Sequence, residues 1–230
     1  KLVAEISDTK VFNKIYVHYI RRLHSNLYSD KNYKLLIDVA RRNKIRNNHT
    51  ATHLLHQSLR EVVGNHVSQK GSLVNDQKLR FDYTSNEPLS EDKIRKIEFI
   101  VNSSIRSNIV SEIKYMPLKE AIQSGAIALF GEKYPENVRV LSIKSNSSIS
   151  SFVSVELCGG THVKSTGEIG FFKIINETSI SSGVRRIEAI TGNKAEKYVD
   201  DKIYLLENIK ALLKANDKNI LERLKTLKTE

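Results

Sequence analysis

The sequence predicts an α+β fold. In several short stretches apolar residues alternate with polar ones, which is the two-residue period of a β-strand. In other stretches they recur every three or four residues, which is the period of an amphipathic helix. We therefore expect a small β-structure first, then an antiparallel or mixed sheet with packed helices, and finally C-terminal helices.

The first 40 residues predict strands, because apolar positions alternate in three places. These positions are Leu2, Ala4 and Ile6, then Ile15, Val17 and Tyr19, then Leu35, Ile37 and Val39. A basic connector at 41–46 is expected to lead into a helix that Asn47 or Asn48 caps. Gly64 is expected to end that helix.

The middle of the chain predicts a hairpin followed by two helices. Two strands are expected between residues 66 and 83, around a turn at 75–76. Ser90 is expected to cap a helix whose apolar residues, within 94–105, face a sheet. A shorter helix is expected at 118–123.

The last third predicts more strands and then a helical tail. The expected elements are strands at 138–143, 151–157 and 171–175, a serine-rich loop at 145–151, a loop at 181–183 leading into a strand at 184–190, and helices from 194, the second capped by Asn216 or Asp217. The highly charged tail is expected to form solvent-exposed helices at the edge of the domain.

Composition limits the class of protein. With 230 residues, 40% of them hydrophobic, the chain can bury one large core or two modest ones. No apolar run is long enough to cross a bilayer, so no membrane partner is expected, and no signal peptide is visible. A single cysteine fits a reducing, cytoplasmic compartment. Because the chain starts at Lys1, we expect it to be a piece of a longer protein.

The net charge of +11 predicts attraction to a polyanion, with nucleic acid as the natural candidate. The alternative is a compositional bias, because the sequence is also rich in Asn, Ile and Ser.

Four candidate metal ligands lie in two distant segments. His49 and His53 are four apart and would share one face of a helix. Cys158, the only cysteine, and His162 frame a short Gly-Gly-Thr bend that can aim both side chains at one point. Three imidazoles and one thiolate form a tetrahedral donor set that suits zinc.

Either half of this set alone has an ordinary explanation. A histidine pair on a helix is often a surface feature, and a lone cysteine is often a small buried apolar residue. The conjunction of both halves favours a metal site. His56 is either a group behind the ligands or a surface residue, and we predict the surface position.

Taken in order, the motifs resemble the editing domain of alanyl-tRNA synthetases. The resemblance runs from about Arg41 to Gly192 and rests on HTATHLLHQSLREVVGNHVSQKGSLV, LRFDY, ALFGEKY, VELCGGTHV, TGEIGFFKI and SSGVRRIEAITG. It implies a β-rich N-terminal subdomain at 1–40, a zinc-dependent editing domain at 41–192 and a helical linker at 193–230.

The resemblance also implies a function. Editing domains of this family hydrolyse the aminoacyl ester of mischarged Ser-tRNA(Ala) or Gly-tRNA(Ala), because an alanine pocket rejects glycine and serine too weakly. The implied cofactor is Zn²⁺ and the implied partner is the acceptor end of tRNA(Ala). The parent enzyme would be an ATP-binding ligase of protein biosynthesis, but we expect no aminoacylation domain in these 230 residues. The alternatives are a free-standing, AlaX-like trans-editing protein and a non-catalytic, zinc-containing tRNA-binding module.

Five residues are candidates for the catalytic site. The resemblance places Gln69 near the substrate, with a strand-surface residue as the alternative. Hydroxyls of Thr50 and Thr52 can recognise the serine side chain or can simply pack behind the ligands. Gly159 and Gly160 allow backbone N–H groups to approach the ester oxygen, although a tight turn would also require glycine.

Three further charged residues have proposed roles. Arg185 and Arg186 are candidates for contact with the terminal phosphates of the tRNA, with exposed strand arginines as the alternative. Asp82 is a candidate acceptor for a ligand histidine, with a salt bridge as the alternative. The metal is either closed and structural or catalytic through a bound water, and the sequence leaves both open.

Overall fold

The computed structural model describes residues 2–128, 133–145 and 153–229. The chain divides into two compact units, Lys1–Ile37 and Asp38–Glu230. Both contain antiparallel strands, and the described part of the second also contains five α-helices, so the predicted α+β class is confirmed. The finer division at 41 and 193 stays a prediction.

The first unit is a hairpin of β1 (Ala4–Phe12) and β2 (Ile15–Leu23). Its two-residue turn, Asn13 and Lys14, has positive φ at both positions, which matches the right-handed twist of the strands. The third predicted strand, at 35–39, is wrong.

Helix α1 (Val39–Val62) begins earlier than predicted because Asp38 caps it: the Asp38 carboxylate accepts a hydrogen bond from the Arg41 N–H at 2.9 Å. The predicted connector at 41–46 therefore lies inside the helix, and Asn47 and Asn48 are not its cap. Asn48 instead donates to the Asn75 carbonyl at 2.8 Å and ties the helix to a strand turn. The helix ends just before Gly64, as predicted.

The remaining elements follow in chain order. They are β3 (Gln69–Val74), β4 (Leu79–Thr84), α2 (Glu91–Arg106), β5 (Ser111–Pro117), α3 (Leu118–Gln123), β6 (Asn137–Lys144), β7 (Val153–Leu157), a 3₁₀-helix (Thr166–Ile169), β8 (Phe172–Ser181), β9 (Val184–Thr191), α4 (Asn193–Leu212) and α5 (Ile220–Thr229). Ser90 caps α2 as predicted, while β5 was not predicted and β8 is longer than expected.

These strands form two antiparallel sheets. The four-stranded sheet has the order β3-β4-β9-β8, and the three-stranded sheet has the order β5-β6-β7. Helix α1 contacts strands of the first sheet and β7 of the second, and α2 packs on α1 and β8. Because α1 touches both sheets, side chains from its buried face can meet residues that follow β7.

The main core lies between α1, α2 and the four-stranded sheet. Its fully buried side chains include Leu54, Leu55, Leu59, Leu79, Phe81, Tyr83, Ile97, Ile169, Phe172 and Ile187. A smaller core fills the space between α3, β6 and β7.

Helix α2 covers the outer edge of the larger sheet. The Asn102 amide donates to the Phe172 carbonyl and accepts from the Phe172 N–H, both at 2.9 Å. The Glu98 carboxylate accepts from the Ile174 N–H at 2.8 Å. These bonds satisfy backbone groups on the edge strand β8, which would otherwise be open to another strand.

Two predicted segments lie outside the described residues: 129–132, within ALFGEKY, and 146–152, which holds most of the serine-rich loop. Among the helices that the structure describes, none combines the length and the apolar character that a membrane crossing needs.

Candidate metal centre

The four predicted ligands meet at one point. His49 and His53 lie one turn apart on α1, and Cys158 and His162 lie on the turn that follows β7. One donor atom from each lies within 4.8 Å of the others. The Cys158 sulfur lies 3.4 Å from His49 Nε2 and 3.2 Å from His162 Nε2.

The donor set fits a tetrahedral zinc ion. His53 Nε2 is buried and has no hydrogen-bond partner within the described residues, although its Nδ1 has one. A buried imidazole nitrogen without a partner is unfavourable unless it binds something. Zinc bonds of about 2.0–2.3 Å to nitrogen and sulfur place donor atoms at separations compatible with those seen here.

The Gly160 position depends on the absence of a side chain. A Cβ there would lie 2.0 Å from His49 Cε1, so any other residue would displace this imidazole. A Cβ at Gly159 would meet nothing within 4 Å. The two glycines are therefore not equivalent. Gly160 makes room for the His49 imidazole, and Gly159 borders open space.

Glu156 is a buried carboxylate that sequence reasoning missed. Its Oε2 lies 2.8 Å from His53 Nδ1 and its Oε1 lies 3.1 Å from His56 Nδ1. A carboxylate only accepts, so the His53 Nδ1–H donates to Glu156, and a metal would bind at Nε2 in place of the second proton of the cationic ring. The signal was present, because Glu156 lies in the strand that ends just before Cys158, two residues from that ligand.

His56 is not a surface residue, so that prediction is wrong. Only 2% of it is exposed, and it packs beside Phe81 with ring centroids 5.3 Å apart. Its contact with Glu156 places it behind the ligand shell, which is the alternative that the sequence left open.

Burial and charge shift the protonation of the His53–Glu156 pair in opposite directions. Burial lowers the pKa of His53, but the charges and hydrogen bonds of Glu156 and Cys158 together outweigh it and raise this pKa to about 10. Burial likewise raises the pKa of Glu156, but His53 and His56 outweigh it and hold this pKa far below its usual range.

The pKa values of Cys158 and His162, the other two candidate ligands with shifted values, lie in the acidic range. Burial raises the pKa of the Cys158 thiol, but hydrogen bonds from His162, His49 and His53 lower it to about 3. Burial is the main cause that lowers the pKa of His162 to about 4. At neutral pH the metal-free site therefore presents a thiolate and a neutral His162, which are ligand forms.

The Thr50 and Thr52 hydroxyls are both buried and engaged. Thr50 Oγ1 accepts from the Val163 N–H at 3.1 Å and lies 3.4 Å from His162 Nδ1. Thr52 Oγ1 donates to the Asn48 carbonyl at 2.9 Å. These contacts favour packing behind the ligands over substrate recognition, and they give Thr50 a direct contact with a ligand histidine.

Gln69 is the first residue of β3 and stands opposite Tyr83 on β4. Its side-chain amide forms no hydrogen bond within the described residues, so it is available to a ligand. The pairing is irregular between Gln69 and Gly71, which marks a local departure from the ladder.

Both candidate phosphate-binding arginines already have carboxylate partners. Arg185 pairs with Glu177, with its Nη2 at 2.7 Å from Oε2. Arg186 pairs with Asp82 through two bonds of 2.7 and 2.8 Å. Asp82 therefore forms the salt bridge named as its alternative, and Glu156 is the carboxylate that contacts a ligand histidine.

Part of the second unit is similar to a domain named for two kinds of synthetase. Residues 138–188, which include most of β6, all of β7 and Cys158, match the family described as the threonyl and alanyl tRNA synthetase second additional domain. More particularly, nearly the whole chain is similar to one segment of alanine–tRNA ligases, which confirms the resemblance predicted from the motifs.

Three such relatives illustrate the match. The chain is 46% identical over 216 residues to the enzyme of Prochlorococcus marinus (strain AS9601), 44% over 227 residues to that of Cytophaga hutchinsonii and 43% over 223 residues to that of Legionella pneumophila (strain Lens). These alignments cover 94%, 98% and 97% of this chain but only 24%, 25% and 25% of the relatives. The chain thus spans about a quarter of their length.

Proposed function

We propose that this chain hydrolyses the ester that joins a wrong amino acid, serine or glycine, to the end of tRNA(Ala). The observation that carries the proposal is the meeting of His49 and His53 with Cys158 and His162, in a segment similar to alanine–tRNA ligases. The proposed editing domain is 41–192, with Zn²⁺ as cofactor.

The chain's own residues have separate tasks in this proposal. His49, His53, Cys158 and His162 would hold the zinc, which when bound supplies a Lewis acid able to polarise the ester or a water. Glu156 holds the His53 imidazole in place through its Nδ1 atom, and Thr50 does the same for His162. Gln69 offers its side-chain amide for orienting the substrate.

The test is single-turnover deacylation of Ser-tRNA(Ala), Gly-tRNA(Ala) and Ala-tRNA(Ala) by an excess of the zinc-loaded chain. Serine and glycine should be released faster than alanine. Gln69→Ala should keep its zinc and lose about 10²–10³-fold in rate, as expected for one positioned hydrogen bond. Cys158→Ala should lose zinc and activity together. No ester cleavage at excess protein and full zinc occupancy would refute the proposal.

A second candidate is a non-catalytic tRNA-binding module with a structural metal. The closed set of four protein donors favours it, because structural zinc sites have four protein ligands whereas catalytic sites keep one position open. This candidate predicts tRNA binding without ester loss. A free-standing trans-editing protein would show the same hydrolysis as our main proposal.

A further inference from the structure

The turn at 158–162 carries backbone donors without partners. The Cys158 N–H donates to the Arg139 carbonyl at 3.1 Å, and the Val163 N–H donates to Thr50 Oγ1 at 3.1 Å. Between them, the N–H groups of Gly159 through His162 form no hydrogen bond within the part of the chain that the structure describes. These N–H groups are therefore available to an acceptor that comes from outside the chain.

Arg139 on β6 fixes the direction of this turn. Its Nη1 donates to the Cys158 carbonyl at 2.6 Å and to the Gly160 carbonyl at 2.8 Å. The guanidinium forms no ion pair with a carboxylate among the described residues, in contrast to Arg185 and Arg186. Within the described residues, the Arg139 guanidinium forms hydrogen bonds with the Cys158 and Gly160 carbonyls and with no other group.

Because the peptide bond is planar, these two contacts also fix the direction of the N–H groups that follow the two carbonyls. In a trans peptide the C=O and the following N–H point in opposite directions, and no described peptide is cis. The Cys158 and Gly160 carbonyls both point at Arg139. The N–H groups of Gly159 and Thr161 must therefore point away from Arg139, toward the opposite side of the turn.

Space for a ligand is present beside one of these donors, because a Cβ on Gly159 would meet no atom within 4 Å. Two N–H groups from residues i and i+2, one of them beside open space and both on the turn that carries two candidate metal ligands, form an arrangement suited to a developing oxyanion.

We propose that Arg139 is a positioning residue that turns the Gly159 and Thr161 N–H groups toward the ester oxygen. The inference rests on the proposed hydrolysis. Water adds to the ester carbonyl carbon, and the C=O electron pair moves onto the oxygen that the two N–H groups bind. When that pair returns, the bond to the ribose oxygen breaks and the ribose oxygen takes one proton from the attacking water. The second water proton passes to the solvent, and the amino acid leaves as its carboxylate.

The test compares Arg139→Met, Arg139→Lys and the control Arg95→Met, which removes an exposed arginine paired with Glu91 on α2. Two uncleavable probes are used: adenosine with a 3′-linked serine amide, which is planar and neutral, and the matching aminoalkyl phosphonate, which is tetrahedral and anionic. The wild-type chain should bind the phosphonate more tightly than the amide. Arg139→Met should keep its zinc and its amide affinity, lose the phosphonate preference and lose about 10²-fold in kcat.

Arg139→Lys should recover part of both losses, because one ammonium can still donate to two carbonyls. Arg95→Met should match the wild type. Equal binding of both probes by the wild-type chain would overturn the inference, and so would an unchanged phosphonate preference in Arg139→Met. If the wild-type chain prefers the phosphonate but never cleaves Ser-tRNA(Ala), the proposed hydrolysis fails while the anion site stands.

Discussion

The Glu156 carboxylate lies 2.8 Å from His53 Nδ1, on the side of the ring away from the donor cluster. This contact decides which nitrogen faces the metal. Glu156→Gln keeps the shape of the side chain but removes its charge, so we expect metal affinity to fall about 10–100-fold. Competition with a chelator measures the change. Glu188→Gln, which alters a carboxylate paired with Lys78 instead, should bind metal normally, and equal affinities in the two variants would contradict the assignment.

Metal uptake should release a proton from His53. The pKa of His53 is about 10 in the metal-free protein, so His53 is protonated at neutral pH, whereas the pKa of Cys158 is about 3 and its thiol proton is already lost. Because binding displaces one proton, apparent affinity should rise about tenfold per pH unit above neutrality and level off near pH 10. Calorimetry in buffers with different ionisation heats counts the protons. An affinity that does not change with pH would show that His53 is neutral.

Gly160→Ala and Gly159→Ala form a matched pair. The new methyl group at 160 would collide with the His49 ring, so we expect weaker metal binding and a loss of about 1–3 kcal/mol in the free energy of unfolding. The methyl group at 159 enters open space, so metal affinity and stability should stay near the wild-type values. Denaturant unfolding and metal titration report both quantities, and equal damage in the two variants would count against this geometry.

Asn102→Ala should destabilise the second unit. It removes both hydrogen bonds to the Phe172 backbone and leaves that N–H and C=O without their partner. Each unsatisfied buried group costs about 1–3 kcal/mol, so the free energy of unfolding should fall by several kcal/mol. Ser103→Ala, one position along the helix, should change it by less than about 0.5 kcal/mol. Thermal and urea unfolding should therefore separate the two variants.

Binding of tRNA should weaken steeply as salt rises, because the net charge is +11. Arg42 and Lys44, near the start of α1, form no ion pair with a carboxylate within the described residues, whereas Arg185 and Arg186 are paired. Removing both charges by Arg42→Gln and Lys44→Gln should lower the slope of log affinity against log salt by about 1 for each phosphate that the protein no longer neutralises. Lys93→Gln with Lys96→Gln on α2 is the charge-matched control. An identical slope in both double variants would show that Arg42 and Lys44 do not contact the tRNA phosphates.

The sequence predicted best where a local rule acts alone. The Ser90 cap needs only its own helix, and the turn at 75–76 needs only the Asn75 side chain, which accepts from the Gln77 and Lys78 N–H groups. The four donors were recognisable because cysteine and histidine are metal-binding residue types whatever fold surrounds them.

The errors arise where tertiary context decides. The first turns of α1 are basic and carry no apolar period, so the helix was placed too late, although Asp38 is a good cap. Strand β5 is mostly exposed and its pattern is weak, so it was missed. The roles of Glu156 and His56 depend on β7 packing against α1, about 100 residues away in sequence, which no local pattern reveals.

A metal bound between α1 and the turn after β7 would join Cys158 to His49, which are 109 positions apart. Such a link acts on the unfolded chain like a cross-link: closing a loop of about 100 residues removes conformational entropy worth about 4.7 kcal/mol. The ion can enter its tetrahedral position only after α1 and the turn that follows β7 have come together. Its capture would therefore be a late folding event that locks the ends of a long loop, and it would slow unfolding more than it speeds folding.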